Sequence, residues 1–138
     1  MVRINLIEPE KLADQHLIAE YNEILMLLGY VRKYPEKKNI PENYCLGKGH
    51  ISFFKDKLKY IEKRHEILKE EMKQRGFVPS KNIDLSEFNA ELVNDWSPNP
   101  EDFEVIKQRL REKIIMKPDF YKYRGEQKHK DFFLGLLQ

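Results

Sequence analysis

Apolar residues recur at steps of three and four in three stretches of the chain, and each stretch predicts a helix. In the first, Ala13, Leu17, Tyr21, Ile24 and Leu28 form one stripe, while His16, Glu20 and Glu23 line a second, polar one. Pro9 suits the first turn, Glu10 complements its positive end, and Gly29 predicts its stop. The second stretch, residues 51–75, places Phe54, Leu58, Ile61, Leu68 and Met72 on one face, with Gly76 as terminator. His65 fills the step between Ile61 and Leu68, where a satisfied core or boundary histidine is expected rather than a ligand. The third starts at Asn99-Pro100-Glu101-Asp102, which supplies a cap, a first-position proline and acids for the first turn. It should run to about residue 116, burying Phe103, Ile106, Leu110 and Ile114, and Pro118 ends it. Arg109, Lys113 and Lys117 form a basic row on a neighbouring face.

The intervals between these helices read differently. Residues 30–50 contain Pro35, Pro41, Gly47 and Gly49 and predict a long irregular connection, a kind of segment that is usually functional in a small domain. Gly47-Lys-Gly-His50 is either a plain turn or a place where backbone amides approach a phosphate. Residues 77–99, interrupted by Pro79 and Pro98, predict irregular packing over the core. The run Phe120-Tyr-Lys-Tyr-Arg-Gly125 interleaves rings and cations: it suits base stacking with phosphate contact, or equally a tail lying on the core with its charges directed outward. The apolar end, Phe132-Phe-Leu-Gly-Leu-Leu137, closes over the core or forms a partner patch. The expected architecture is a compact all-α single domain over residues 1–138, with three main helices and long irregular connections.

Charge changes this picture through its distribution. A net charge of +2 over 138 residues does not by itself argue for nucleic acid. Residues 82–104, however, hold seven acids and no Lys or Arg, whereas residues 106–130 carry nine basic side chains against Glu112, Asp119 and Glu126. Arg32, Lys33, Lys37, Lys38 and Lys48 make a second basic stretch, so one side of the molecule should be positive and another negative. With 35% charged residues, no membrane-length apolar run and no signal-peptide pattern at the start, a cytoplasmic location alongside DNA is expected. Cys45 has no partner for an internal disulfide. His16, His50, His65, His129 and Cys45 lack metal-ligand spacing, and no Walker loop, nucleotide fingerprint or serine elbow occurs, so chemistry without metal or cofactor is expected.

A resemblance adds to this reading. Arg3-Ile-Asn-Leu6, Leu12-Ala-Asp-Gln-His-Leu17 and Ala19-Glu-Tyr21 with Glu23 resemble, without gaps, the opening of the phage endonuclease V type pyrimidine-dimer DNA glycosylases. The similarity continues in Val31-Arg-Lys33, Leu46-Gly-Lys-Gly-His50, Phe53-Phe54, Asp56-Lys-Leu58, Lys63-Arg64 and Arg75-Gly-Phe77. It resumes in Arg109-Leu110, Glu112-Lys-Ile114, Pro118 and Tyr121-Lys-Tyr123.

The resemblance implies a monomer that acts on damaged duplex DNA after losing Met1. The α-amine of Val2, where the family has threonine, would be the nucleophile and Glu23 the carboxylate that handles protons and steadies the developing cation. Taken alone, Glu23 on a polar stripe is ordinary surface. The family frame makes it catalytic, with His16 near sugar or phosphate and Glu20 supporting. Arg3, Lys33, Arg109 and Lys113 match family basic positions, Lys48 and Lys117 are local candidates, and Tyr121, Lys122 and Tyr123 complete the expected DNA contacts. Asn22 and Met26 stand where the family has phosphate-binding arginines, which should make the salt dependence of binding shallower by about one to two units of slope. That departure motivates a second reading, a Schiff-base lyase for abasic sites or another damaged base; a third, from another class, is a non-catalytic DNA-binding relative, which a retained Met1 would favour.

Overall fold

The computed structural model describes residues 2–138. A 3-10 turn at Pro9–Lys11 leads into α1 (Asp14–Lys33), followed by α2 (His50–Phe54), α3 (Leu58–Gln74), a turn at Ala90–Leu92 and α4 (Pro100–Met116). A small antiparallel hairpin, β1 (Lys122–Tyr123) and β2 (Glu126–Gln127), precedes α5 (Lys130–Leu136). The protein is mostly helical, with five α-helices among the described residues where three were expected. Three of the five have 17 residues or more.

The third expected helix has its anticipated bounds because its start is locally specified. Asn99 accepts from the Asp102 N–H at 3.0 Å while the Asp102 carboxylate accepts from the Asn99 N–H at 2.9 Å, a reciprocal cap. The other two differ. α1 does not stop at Gly29 but continues to Lys33, because Leu27, Leu28 and Val31 are fully buried and the glycine sits on the open side. Burial of three large side chains outweighs the roughly 1 kcal/mol that a mid-helix glycine costs. The stretch predicted as one helix over 51–75 is broken after Phe54. The Asn94 carbonyl accepts from the Lys59 and Tyr60 N–H groups, satisfying donors at the start of α3, and Lys57 Nζ reaches back to the Phe53 carbonyl at 2.8 Å. Pro9 lies in the separate 3-10 turn, not in α1. The run after Phe120 is a hairpin whose turn has Arg124 at φ 53° and Gly125 at φ 81°.

α1 packs on α3 around Leu17, Ile24, Leu58, Ile61 and Leu68, each fully buried. Residues 2–7 cross this core. Val2, Ile4, Asn5, Leu6 and Ile7 are all buried, so their peptide groups need partners without a sheet to supply them. Side chains do it: His50 Nε2 accepts from the Ile4 N–H at 2.8 Å, Tyr44 Oη donates to the Ile4 carbonyl at 2.9 Å, and Arg64 Nη1 donates to the Leu6 and Ile7 carbonyls at 3.1 and 2.7 Å. Arg64 also makes a bidentate pair with Glu20 at 2.7 and 3.0 Å, with both side chains out of solvent. Glu20, expected in a supporting role on the polar stripe of α1, is thus buried within the fold and paired with Arg64. His65 is buried as expected but not satisfied: among the described residues neither ring nitrogen has a hydrogen-bond partner, and the ring stacks on Tyr21 at 4.8 Å.

Candidate functional site

Glu23 projects from the middle of α1 toward the buried N-terminal segment. Its Oε1 accepts from the Arg3 N–H at 2.7 Å. The nitrogen of Val2 is one residue further along, a span of at most about 3.8 Å. Val2 itself is only 7% exposed and belongs to the core cluster, so its isopropyl group fixes where that nitrogen sits. Met1 lies outside the described residues. Burial raises the Glu23 carboxyl above its ordinary range, while the Arg3 N–H acts in the opposite sense.

A cationic wall stands beside this pair. Burial lowers the Arg3 guanidinium, and the nearby Arg109 of α4 lowers it further. His16, about two turns before Glu23, lies 4.7 Å from the Tyr121 ring, and burial, with Arg3 and Lys113 close by, lowers its imidazole to about 4. An open cleft of about 540 Å³ runs between Arg3, Leu46 and Gly47 on one side and Val105 and Arg109 of α4 on the other. Val2, Arg3, His16, Glu23, Arg109, Lys113 and Tyr121 are thus brought together.

The remaining expected DNA contacts lie elsewhere. Lys48 is exposed beside Gly47 at the cleft edge. Lys33 lies at the far end of α1 with its ammonium 5.5 Å from the Tyr34 ring, and Lys117 caps the end of α4 over Phe120 at 4.6 Å. Lys122 is exposed on the hairpin, its N–H held by Gln15 Oε1. Tyr123 serves the fold: its hydroxyl donates to the Glu10 carbonyl at 2.7 Å and its ring lies 4.3 Å from the Arg75 guanidinium. Tyr44, His50 and Arg64, which position the N-terminal segment, were not anticipated in that role. The glycines of Gly47-Lys-Gly-His50 drew attention to a turn, but the histidine is the residue that reaches the core.

Three histidines make the fold sensitive to acid. His16, His50 and His65 all have imidazoles lowered from 6.5, chiefly by burial, so the unfolded chain binds protons that the folded chain refuses. Their contribution is complete above about pH 6.5 and is lost as pH falls below it; for His16 the loss continues to about pH 4. Glu23, raised in the fold, has the opposite sign and offsets part of it. The urea midpoint is expected to fall steadily between pH 6.5 and 5, and His65→Phe to flatten that dependence. An unchanged slope in the variant would remove His65 from the explanation.

The Glu23 carboxylate thus meets the N-terminal segment beside the Arg3 and Arg109 cations and the His16 imidazole. The family model described as pyrimidine dimer DNA glycosylase matches residues 1–85, and the chain belongs to that family. It is accordingly a DNA-repair protein of the glycosylase class whose substrate is DNA. The matched part holds Val2, Arg3, His16, Glu23, Lys33 and Lys48, whereas α4 and the hairpin lie beyond it. Among the described residues no helix is long and apolar enough to cross a membrane.

Proposed function

We propose that this protein removes cyclobutane pyrimidine dimers through a Schiff base at its own N-terminus and then cuts the strand, working as a single-domain monomer. Removal of Met1 frees the Val2 amine. Its lone pair attacks C1′ of the 5′ nucleotide of the dimer, and the glycosidic bond breaks with its electron pair leaving on the base. Opening of the sugar ring and proton loss from nitrogen give the imine. Abstraction of a C2′ proton then expels the 3′ phosphate, and water releases the amine. An α-amine titrates near pH 8 against about 10.4 for lysine, so at pH 7.5 roughly a third is unprotonated compared with about a thousandth of a lysine.

The observation that carries this reading is the Arg3 N–H bonded to Glu23, which supports a carboxylate within reach of the Val2 nitrogen. A carboxyl raised by burial is also the better proton acceptor for the C2′ step. Arg3, His16, Arg109 and Lys113 would hold phosphates and Tyr121 would back the sugar, with Lys33, Lys48, Lys117 and Lys122 at the periphery. A second reading, action on abasic sites, draws on the exposed Asn22 and Met26 that replace phosphate-binding arginines. Duplexes carrying one dimer or one abasic site, incubated with equal enzyme, separate the two. Nicking of both is expected; robust abasic cleavage with inert dimers would favour the second reading, and intact mass on the same sample reports whether Met1 is gone.

A further inference from the structure

The outer face of α1 does not end at Glu23. Met26 and Tyr30 follow it at steps of three and four on the same face, and Tyr34 comes next as the residue that caps the end of the helix. All three are open to solvent, at 57%, 36% and 45% exposure, and the two tyrosine rings lie 5.0 Å apart. Large apolar side chains are uncommon at such exposure in a row, and nothing in the core requires them there. Cations frame the row: Lys33 stands over the Tyr34 ring, Arg32 is paired with Glu87 and lies 5.3 Å from Phe88, and Lys37 and Lys38 follow in an exposed loop. Residues 32–38 hold four basic side chains against Glu36 alone.

We infer that Met26, Tyr30 and Tyr34 form a stacking platform for unpaired bases in the same DNA that the Glu23 site engages, an inference that rests on the proposed function. Rings interleaved with cations suit a strand whose bases are exposed: each ring face takes a base and each cation a phosphate. A second copy of the chain fits less well, because a two-fold contact would set the basic frame against itself. At 1.5 Å per residue Tyr30 lies about 10 Å beyond Glu23 and the last helical residue, Lys33, about 15 Å, with Tyr34 next to it, so the platform falls about three to five nucleotides from the reacting sugar. Binding energy that phosphate-gripping arginines would have supplied at positions 22 and 26 is here drawn from stacking, which needs locally melted DNA.

The test uses duplexes with an uncleavable abasic analogue, tetrahydrofuran, and a two-base mismatch bubble three to five nucleotides to either side of it, followed by fluorescence anisotropy. Wild type should bind one bubble duplex at least about fivefold more tightly than the fully paired duplex. That preference should fall to near unity in Tyr30→Ala/Tyr34→Ala and survive in Tyr30→Phe/Tyr34→Phe. Equal binding of paired and bubble duplexes by wild type, or a preference untouched in the alanine variant, overturns the inference. So does self-association in sedimentation that the alanine variant abolishes. No chemistry is read, so a protein that cuts dimers yet shows no preference loses only the platform, while one with the preference but no cutting loses only the proposed reaction.

Discussion

Borohydride added during reaction with dimer-containing duplex should trap wild-type protein on DNA, and Glu23→Gln should lower the yield of trapped complex by about 100-fold or more. The substitution is nearly isosteric, and its amide oxygen can still accept from the Arg3 N–H, which the carboxylate meets at 2.7 Å. The path of the N-terminal segment is thereby kept while the charge and the proton acceptor are lost. A defect of this size with an unchanged urea midpoint would assign Glu23 to chemistry. Peptide mapping decides the other half: the reduced adduct is expected on Val2, and an adduct on a lysine would remove the terminal amine from the mechanism.

Arg64→Leu should destabilise the protein by about 3–5 kcal/mol, the range found when one member of a buried ion pair is deleted. The Glu20 side chain, with no exposure of its own, would be left without its bidentate partner, and the Leu6 and Ile7 carbonyls would lose their donor. Glu20→Leu/Arg64→Leu separates these effects. Removing both charges should recover much of the loss, but not all, because an unpaired buried carbonyl still costs about 1–3 kcal/mol. Complete recovery in urea titrations would mean that the carbonyl contacts contribute nothing. Both variants should also lose activity out of proportion to stability, since Arg64 holds the segment that carries Val2.

What was legible in the sequence is what local chemistry specifies. Asn99 and Pro100 announce α4 because a cap and its first turn are contiguous. The apolar stripe of α3 is legible because helical periodicity is a property of neighbours. The break after Phe54 is not, since no proline or glycine marks it; the carbonyl that caps α3 comes from Asn94, more than thirty residues away. Glu20 was placed with His16 and Glu23 by spacing alone, yet its position is decided by Arg64, 44 residues along. The same holds for the site. Glu23 and Arg3 stand out through family resemblance, but periodicity says nothing of where residues 2–7 run, and it is Tyr44, His50 and Arg64 that bring them past the carboxylate.

Asp14 joins parts of the molecule that the sequence keeps far apart. Its Oδ1 accepts from Arg75 Nη1 at 2.9 Å and from the Arg124 N–H at 3.0 Å, and its Oδ2 from the Gly125 N–H at 2.8 Å. The turn of the hairpin is thus clasped by the first residue of α1, and Tyr121, whose ring meets His16, hangs from that clasp. Hydrogen exchange at two amides near the end of the chain, those of Arg124 and Gly125, therefore monitors whether the opening turn of the first helix is shut.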